Sequence, residues 1–591
     1  MQRRPQDQLE PESLTPAQAI SEKPRGAEQP RATSRRAFLK AAGAATVASI
    51  ASAAVGLEPI LGGKSSIAEA QEFDSAMSVP AASSRARAVQ RRNASYKYRV
   101  RTAAAEFHVP IPDHVSNGDE TLFPNFIGNF SKGLPHDANG EVFQSTYKKL
   151  LTAVNSGKPA DFNAITMGGN VLLVDPQSGL AFDLMGTDSH QLTEPPAPPV
   201  TSAWRAGEAV ENYWMALLRD VPFSQYGTDP VAQAALTDLN KLTDFRGPKV
   251  NGQVTAGTLF RGFTAGDVIG PYISQFFYPT LAFGAGRIIQ QYQTYNPGSD
   301  NMTDFASFLA CQNGTASGSN SLDPTLRYLR NGRDIGAWVH VDVLYQAYFQ
   351  ACLYLVGNNA KLNQGNPYAP GNPAAVNQTG FGTFGVPYLK AILAAVSSRA
   401  LKAQWFQKWY VHRALRPEAY GGLVDLKIRN VKPDYPIHSD VLSSDAVART
   451  FSNNGTYLLP MEFHEGCPQH PAYASGHATV GGACVTILKA FFDETQVIQN
   501  PVVPTDDGLS LVAYTGNDAS LLTVGGELNK IASNVAFGRN IAGVHWRTDA
   551  EEAMKLGEAV AISILRDERG SYNEDFQGFT FTKFDGTQIT V

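Results

Sequence analysis

Residues 470–492 read HPAYASGHATVGGACVTILKAFF and pass from a turn into a long apolar run, the transition that sets the fold class. From His477 to Phe492 the apolar positions recur at helical spacing. Ser475 falls at the N-cap, so the first free backbone N–H groups and the positive end of the helix dipole face whatever sits beside it. A helix start of this kind is an anion site, and Gly476 permits close approach of the backbone to a ligand. A plain capped helix with two incidental histidines is the alternative reading. His470 and His477, one on either side of the cap, favour the functional one.

The same helical spacing recurs at 141–154, 208–218, 232–242, 335–356, 389–414 and 550–565. Strand signals are few. Segments 171–174 and 180–184 flank the turn DPQSG, and 579–584 meets 587–591 across Asp585-Gly586, so both pairs are expected as hairpins on the rim of a helical body. Stretches 311–324 and 357–385, rich in Asn, Gly and Pro, read as long loops. The expected architecture is all-α, one large helical-bundle unit over 96–591 with a few peripheral β-hairpins. Its functional residues should gather within 400–566.

Two further clusters supply positive charge. Residues 408–417, KWYVHRALRP, form a helix expected to run to Leu415 or Arg416, because Pro417 bars the residue before it from the helical region. Trp405, Lys408 and His412 then share a face. Alone, this basic helix end would read as a solvated face that offsets the helix dipole. Residues 539–549, RNIAGVHWRTD, lead into the helix at 550–565, with Thr548 and Glu551 as an expected capping box. Arg539 and His545 lie on different faces of a continuous helix, so a bend near Gly543 is needed to aim both inward. Asp549 offers a carboxylate to orient the imidazole of His545. Together the clusters provide one Lys, two Arg, a Ser hydroxyl and imidazoles, the donor set of a tetrahedral or trigonal oxyanion such as phosphate or vanadate.

The chain has 591 residues, 43% of them hydrophobic, and a formal charge of -5, so no basic surface marks it for nucleic acid. Its N-terminal SRRAFLK at 34–40, followed by the small apolar run 41–61, resembles a twin-arginine (Tat) export signal. Residues 1–70 are expected as that signal, with cleavage after Ala68-Glu69-Ala70, and 71–95 as an arm or oligomer contact. The expected location is periplasmic or extracellular. The Ala- and Gly-rich run with Glu58 inside it argues against a membrane span in the mature form. Cys311, Cys352, Cys467 and Cys484 show neither CxxC nor CxxCH spacing, which removes the common zinc and haem-attachment motifs and leaves at most one or two disulfides.

The ordered set Lys408, Arg416-Pro417, Ser475-Gly476-His477, Arg539, His545 and Asp549 resembles the tripartite signature shared by type 2 phosphatidic acid phosphatases and vanadium haloperoxidases. Trp409, His412, Arg413 and His470 are similar to the bromoperoxidase branch, as are the stretches 123–128, 132–136 and 270–275. The resemblance implies a peroxidase that oxidises bromide, with iodide and chloride as further halides, using hydrogen peroxide to halogenate a small organic acceptor, with vanadate and no haem. It also implies a homo-oligomer. By the same resemblance His545 ligates vanadium. Lys408, Arg416, Arg539, Ser475 and the Gly476 amide hold equatorial oxygens, and His477 bonds the apical one and moves its proton. Lys408 also polarises the peroxide, while His470, Trp405 and His412 shape the halide environment. Trp405 stands where red-algal relatives carry Arg, which leaves the halide order open. The rival reading is an exported acid phosphatase with His545 as a phosphohistidine nucleophile.

Overall fold

The computed structural model describes residues 84–315 and 318–591, and Ala82–Val591 forms one compact unit. The export signal expected at 1–70 lies outside the described residues. Thirteen helices of eight residues or more are present among them. In chain order these are α1 (Ser84–Phe107), α2 (Gln144–Ser156), α3 (Ala203–Leu217), α4 (Pro230–Leu239), α5 (Phe305–Gln312), α6 (Gly332–Val341) and α7 (Gln346–Gly357). They continue as α8 (Val386–Phe406), α9 (Pro417–Ile428), α10 (Asp445–Asn454), α11 (Gly476–Phe491), α12 (Val524–Ile541) and α13 (Arg547–Arg569). The architecture is therefore helical, as the periodicity predicts.

Helix α11 sits at the centre, packed against α13, α8 and α12, while α6 lies along α12. Apart from His477, every residue of α11 is buried. A continuous apolar circumference marks a helix covered on all sides. Close approach to α13 needs small residues, since a Cβ on Gly482 would run into the Met554 carbonyl and one on Gly557 into the Thr479 carbonyl.

Several expectations are corrected. The segment at 335–356 is two helices, broken where Asp342 is extended at ψ 148°. The helix at 389–414 ends at Phe406 and continues as a π-helical turn, Gln407–His412, which Arg413 closes in the left-handed region at φ 40°. The Arg413 carbonyl is thereby turned toward the upstream segment, where Phe130 N and Asn129 Nδ2 donate to it at 2.9 and 3.2 Å. No hairpin forms at 171–184, where Ser178–Leu180 is a 3-10 turn and the Val174 carbonyl accepts from Trp405 Nε1 at 3.1 Å. The C-terminal hairpin is present, β5 (Thr580–Thr582) with β6 (Gln588–Thr590), alongside β1 (Leu281–Phe283) with β2 (Gly286–Ile288) and β3 (Val502–Pro504) with β4 (Leu511–Ala513). All four cysteines are buried free thiols. Helix α1 runs across the boundary expected at 95, and α5 takes in Cys311, the first residue of an expected loop. No helix among the described residues is long and apolar enough to cross a membrane.

Candidate active site

Three chain segments place their polar ends around one buried imidazole. Ser475 caps α11, accepting from Ala478 N at 3.4 Å, as the sequence predicts. The bend expected at Gly543 is present at φ 87°, immediately after α12, and it brings Val544 N back onto the Arg539 carbonyl at 3.0 Å. The capping box lies two residues earlier than expected. Trp546 is the N-cap of α13, and Asp549 accepts from Trp546 N at 3.1 Å, while Thr548 N donates to Glu208 at 2.7 Å. Asp549 therefore both closes the helix and accepts from His545 Nδ1 at 2.7 Å.

With Nδ1 so engaged, His545 turns Nε2 toward Arg416, whose Nη1 lies 3.1 Å away. Arg416, at the N-cap of α9, also donates to the carbonyls of His470 at 2.9 Å and Val544 at 2.6 Å, and its Nη2 meets His470 Nδ1 at 3.0 Å. Lys408 Nζ, projecting from the π-helical turn, donates to the Pro471 and Ala472 carbonyls at 2.8 and 2.9 Å, which leaves its third proton for another acceptor. Arg539 Nη1 donates to Val339 O at 2.9 Å, and its guanidinium lies 5.1 Å from the Phe463 ring centre. Its buried Nε has no protein partner.

The groups that face the oxyanion position are predominantly cationic. Burial, then the neighbouring Arg416, holds Lys408 well below the ordinary lysine range, and the same two causes push Arg539 down to about 10. Burial followed by Arg416, Lys408 and Arg539 keeps His545 neutral at physiological pH. His470 is held low by burial, Lys408 and Arg416. Asp549, pushed up to about 6 by burial, is the carboxylate that touches this group. Three like charges brought together out of water are stabilised best by an anion that shares their protons. The donor set fits vanadate: three cations, the free Arg539 Nε, the Ser475 hydroxyl, and a backbone cradle at Gly476 where a Cβ would lie 2.9 Å from the Trp405 ring.

Trp405 also faces His470 at 4.7 Å between ring centres, so these two form one wall. His412 does not join them. It lies edge-on to Tyr473 at 4.8 Å with both ring nitrogens buried and unpartnered, so the helical face that it was expected to share with Lys408 is lost in the π-helical turn. His477 is on the open side of the cap and bonds Asp342 Oδ1 at 3.0 Å.

Sequence reasoning missed Asp342. The break between α6 and α7 that exposes it to His477 has no Gly or Pro to signal it. It also missed Glu194, a buried carboxyl that accepts from Gln404 Nε2 at 3.0 Å, while Gln404 in turn accepts from Thr479 on α11. The upstream stretches prove to be braces. Lys132 Nζ donates to Glu418 at 3.1 Å, two residues after Arg416, and Ser274 and Gln275 bond Asn534 and Glu527 on the helix that carries Arg539.

The sequence matches the profile of the VCPO second helical-bundle domain over residues 391–573. The chain is 35% identical to the vanadium-dependent bromoperoxidase of Corallina pilulifera, over 87% of this chain and 100% of that one. Against the enzyme of the same description from Ascophyllum nodosum, the figures are 34%, 81% and 88%. In three dimensions it is similar to the homohexameric second vanadate-dependent bromoperoxidase (AnII) of Ascophyllum nodosum, with a TM-score of 0.80 and 33% identity over 85% of this chain and 90% of that one.

Proposed function

The chain belongs to the vanadium-dependent bromoperoxidase family, and from that premise we propose that it oxidises bromide with hydrogen peroxide at a vanadate held around His545. The carrying observation is the buried His545, with Nδ1 on Asp549 and Nε2 turned into a cluster of Lys408, Arg416 and Arg539. Bound vanadate supplies a Lewis acid that activates peroxide toward halide without a change of oxidation state.

The chain's own residues do the rest. Asp549 accepts a hydrogen bond from Nδ1–H, which fixes the tautomer and puts the lone pair on Nε2, the nitrogen that faces Arg416 and would ligate vanadium. Arg539, whose buried Nε has no protein partner, and Arg416, whose guanidinium faces His545 Nε2, would hold oxyanion oxygens, and the Ser475 hydroxyl and Gly476 amide would hold others at the start of α11. Lys408 would direct its remaining proton at the reacting oxygen, where a positive charge in a dry site stabilises the negative charge that develops there. His477, anchored by Asp342 on the open side, takes up the peroxide proton and returns it. Trp405 and His470 bound the halide approach, with iodide and chloride as further substrates to rank and a small organic acceptor taking the halogen.

Two wider readings belong with this one. Assembly into a homo-oligomer is supported by the homohexameric relative. Export by the twin-arginine route is supported by SRRAFLK at 34–40. Parallel assays of monochlorodimedone bromination and p-nitrophenyl phosphate hydrolysis, before and after addition of orthovanadate, test the activity. Bromination that appears with vanadate supports the reading. Hydrolysis that vanadate inhibits, with no bromination, would replace it with the phosphatase.

A further inference from the structure

Helix α1 is 24 residues long, about 36 Å, yet none of its residues is buried. It leans on its own body by one stripe, Ala94, Tyr98, Thr102 and Glu106, each partly covered. Tyr98 Oη donates to Asp567 O at 2.7 Å, and Glu106 accepts from Thr187 Oγ1 at 2.5 Å. At 100° per residue, Val89, Tyr96, Val100 and Phe107 fall within about 20° of a single line on the opposite side. These side chains are 41%, 64%, 50% and 81% exposed. The spacing of seven, four and seven is that of a seam made to be covered, with Asn93 as a polar position inside it.

The charge beside the seam selects what covers it. Helix α1 carries seven basic residues and one acidic, and Arg85, Arg92 and Arg99 edge the stripe at heptad intervals, with Lys97 across from them. A second copy of the same helix would set basic rows against basic rows in either direction, which is repulsive. The remainder of the chain, 108–591, has the opposite balance, with 33 basic against 44 acidic residues. We infer that α1 is an assembly arm that lays its apolar stripe on the acidic body of a second copy of this chain, with the arginine edge supplying register and salt sensitivity. The inference rests on the proposal that the chain assembles, and it names the surface.

Sedimentation velocity on the full chain tests it, comparing wild type with the double variant Tyr96→Asp, Val100→Asp at low and high salt. A photo-crosslinking phenylalanine at position 96 serves as a second probe that tolerates poor yield of the double variant. The wild type is expected to assemble more weakly as salt rises. The double variant is expected to associate about tenfold or more weakly while retaining bromination per chain. Crosslinks should reach residues 108–591 of a neighbour. Assembly unchanged by the double variant, or crosslinks confined to 84–107 of a neighbour, would overturn the assigned surface while leaving assembly intact. A monomeric wild type would overturn the assembly reading itself.

Discussion

Asp342 acts on the site chiefly through its hydrogen bond to His477, at 3.0 Å, and reaches Arg539 only through space, where its charge partly offsets the cost of burying that guanidinium. Its removal should leave vanadate affinity within about threefold and lower kcat by about tenfold, because a general base loses its orientation but not its chemistry. Steady-state bromination and vanadate titration of Asp342→Ala separate the two effects, and a loss confined to vanadate affinity would reject the assignment. Glu194 tests the electrostatics of the wall behind Lys408. Burial lifts its carboxyl from 4.5 to about 8, so folding takes up a proton. The associated stability is complete below the unfolded value and lost as pH rises through the folded one. Glu194→Gln keeps a neutral, hydrogen-bonding side chain at every pH. Its Tm should match wild type near about pH 5 and exceed it by roughly 1–2 °C near about pH 9. A gap that does not change with pH would contradict this.

Among the elements, the α11–α13 crossing fixes the distance between Ser475 and His545, because each residue stands at the start of one of these helices. Gly482 and Gly557 let the two backbones meet, and an added methyl at either would strike a carbonyl of the other helix. Gly482→Ala should cost about 3 kcal/mol or more in stability and weaken vanadate binding, whereas alanine at an open helical glycine is normally favourable. Chemical denaturation measures it, and unchanged stability would show that the crossing is looser than described. Helix α11 was legible because its apolar run is interrupted after His477 only by Thr479, Thr486 and Lys489, and its cap because Ser475 stands at its start. Helix α12, which presents Arg539, was not. Glu527, Asn529, Lys530, Ser533 and Asn534 are buried in it, their polar atoms spent on the 264–275 segment and each other, so its apolar period is hidden. The π-helical turn escaped for a related reason. Spacing of three and four assumes α geometry, and one wider turn moves His412 away from Lys408.

For the whole molecule, local sequence carried the helical class and the three oxyanion clusters, while their convergence depends on contacts more than 50 residues apart, such as Arg416 to His470 and Lys132 to Glu418. The expected hairpin at 171–184 failed on the same ground, since Trp405 claims its backbone. What unites the molecule's parts is the buried imidazole toward which α9, α11 and the α12–α13 turn all point. Vanadium content is therefore the most direct test. After incubation with orthovanadate and exhaustive dialysis, wild type should retain about one vanadium per chain, and His545→Ala, with its circular dichroism unchanged, should retain little and brominate negligibly. Equal vanadium retention and bromination in the folded His545→Ala variant would contradict the account.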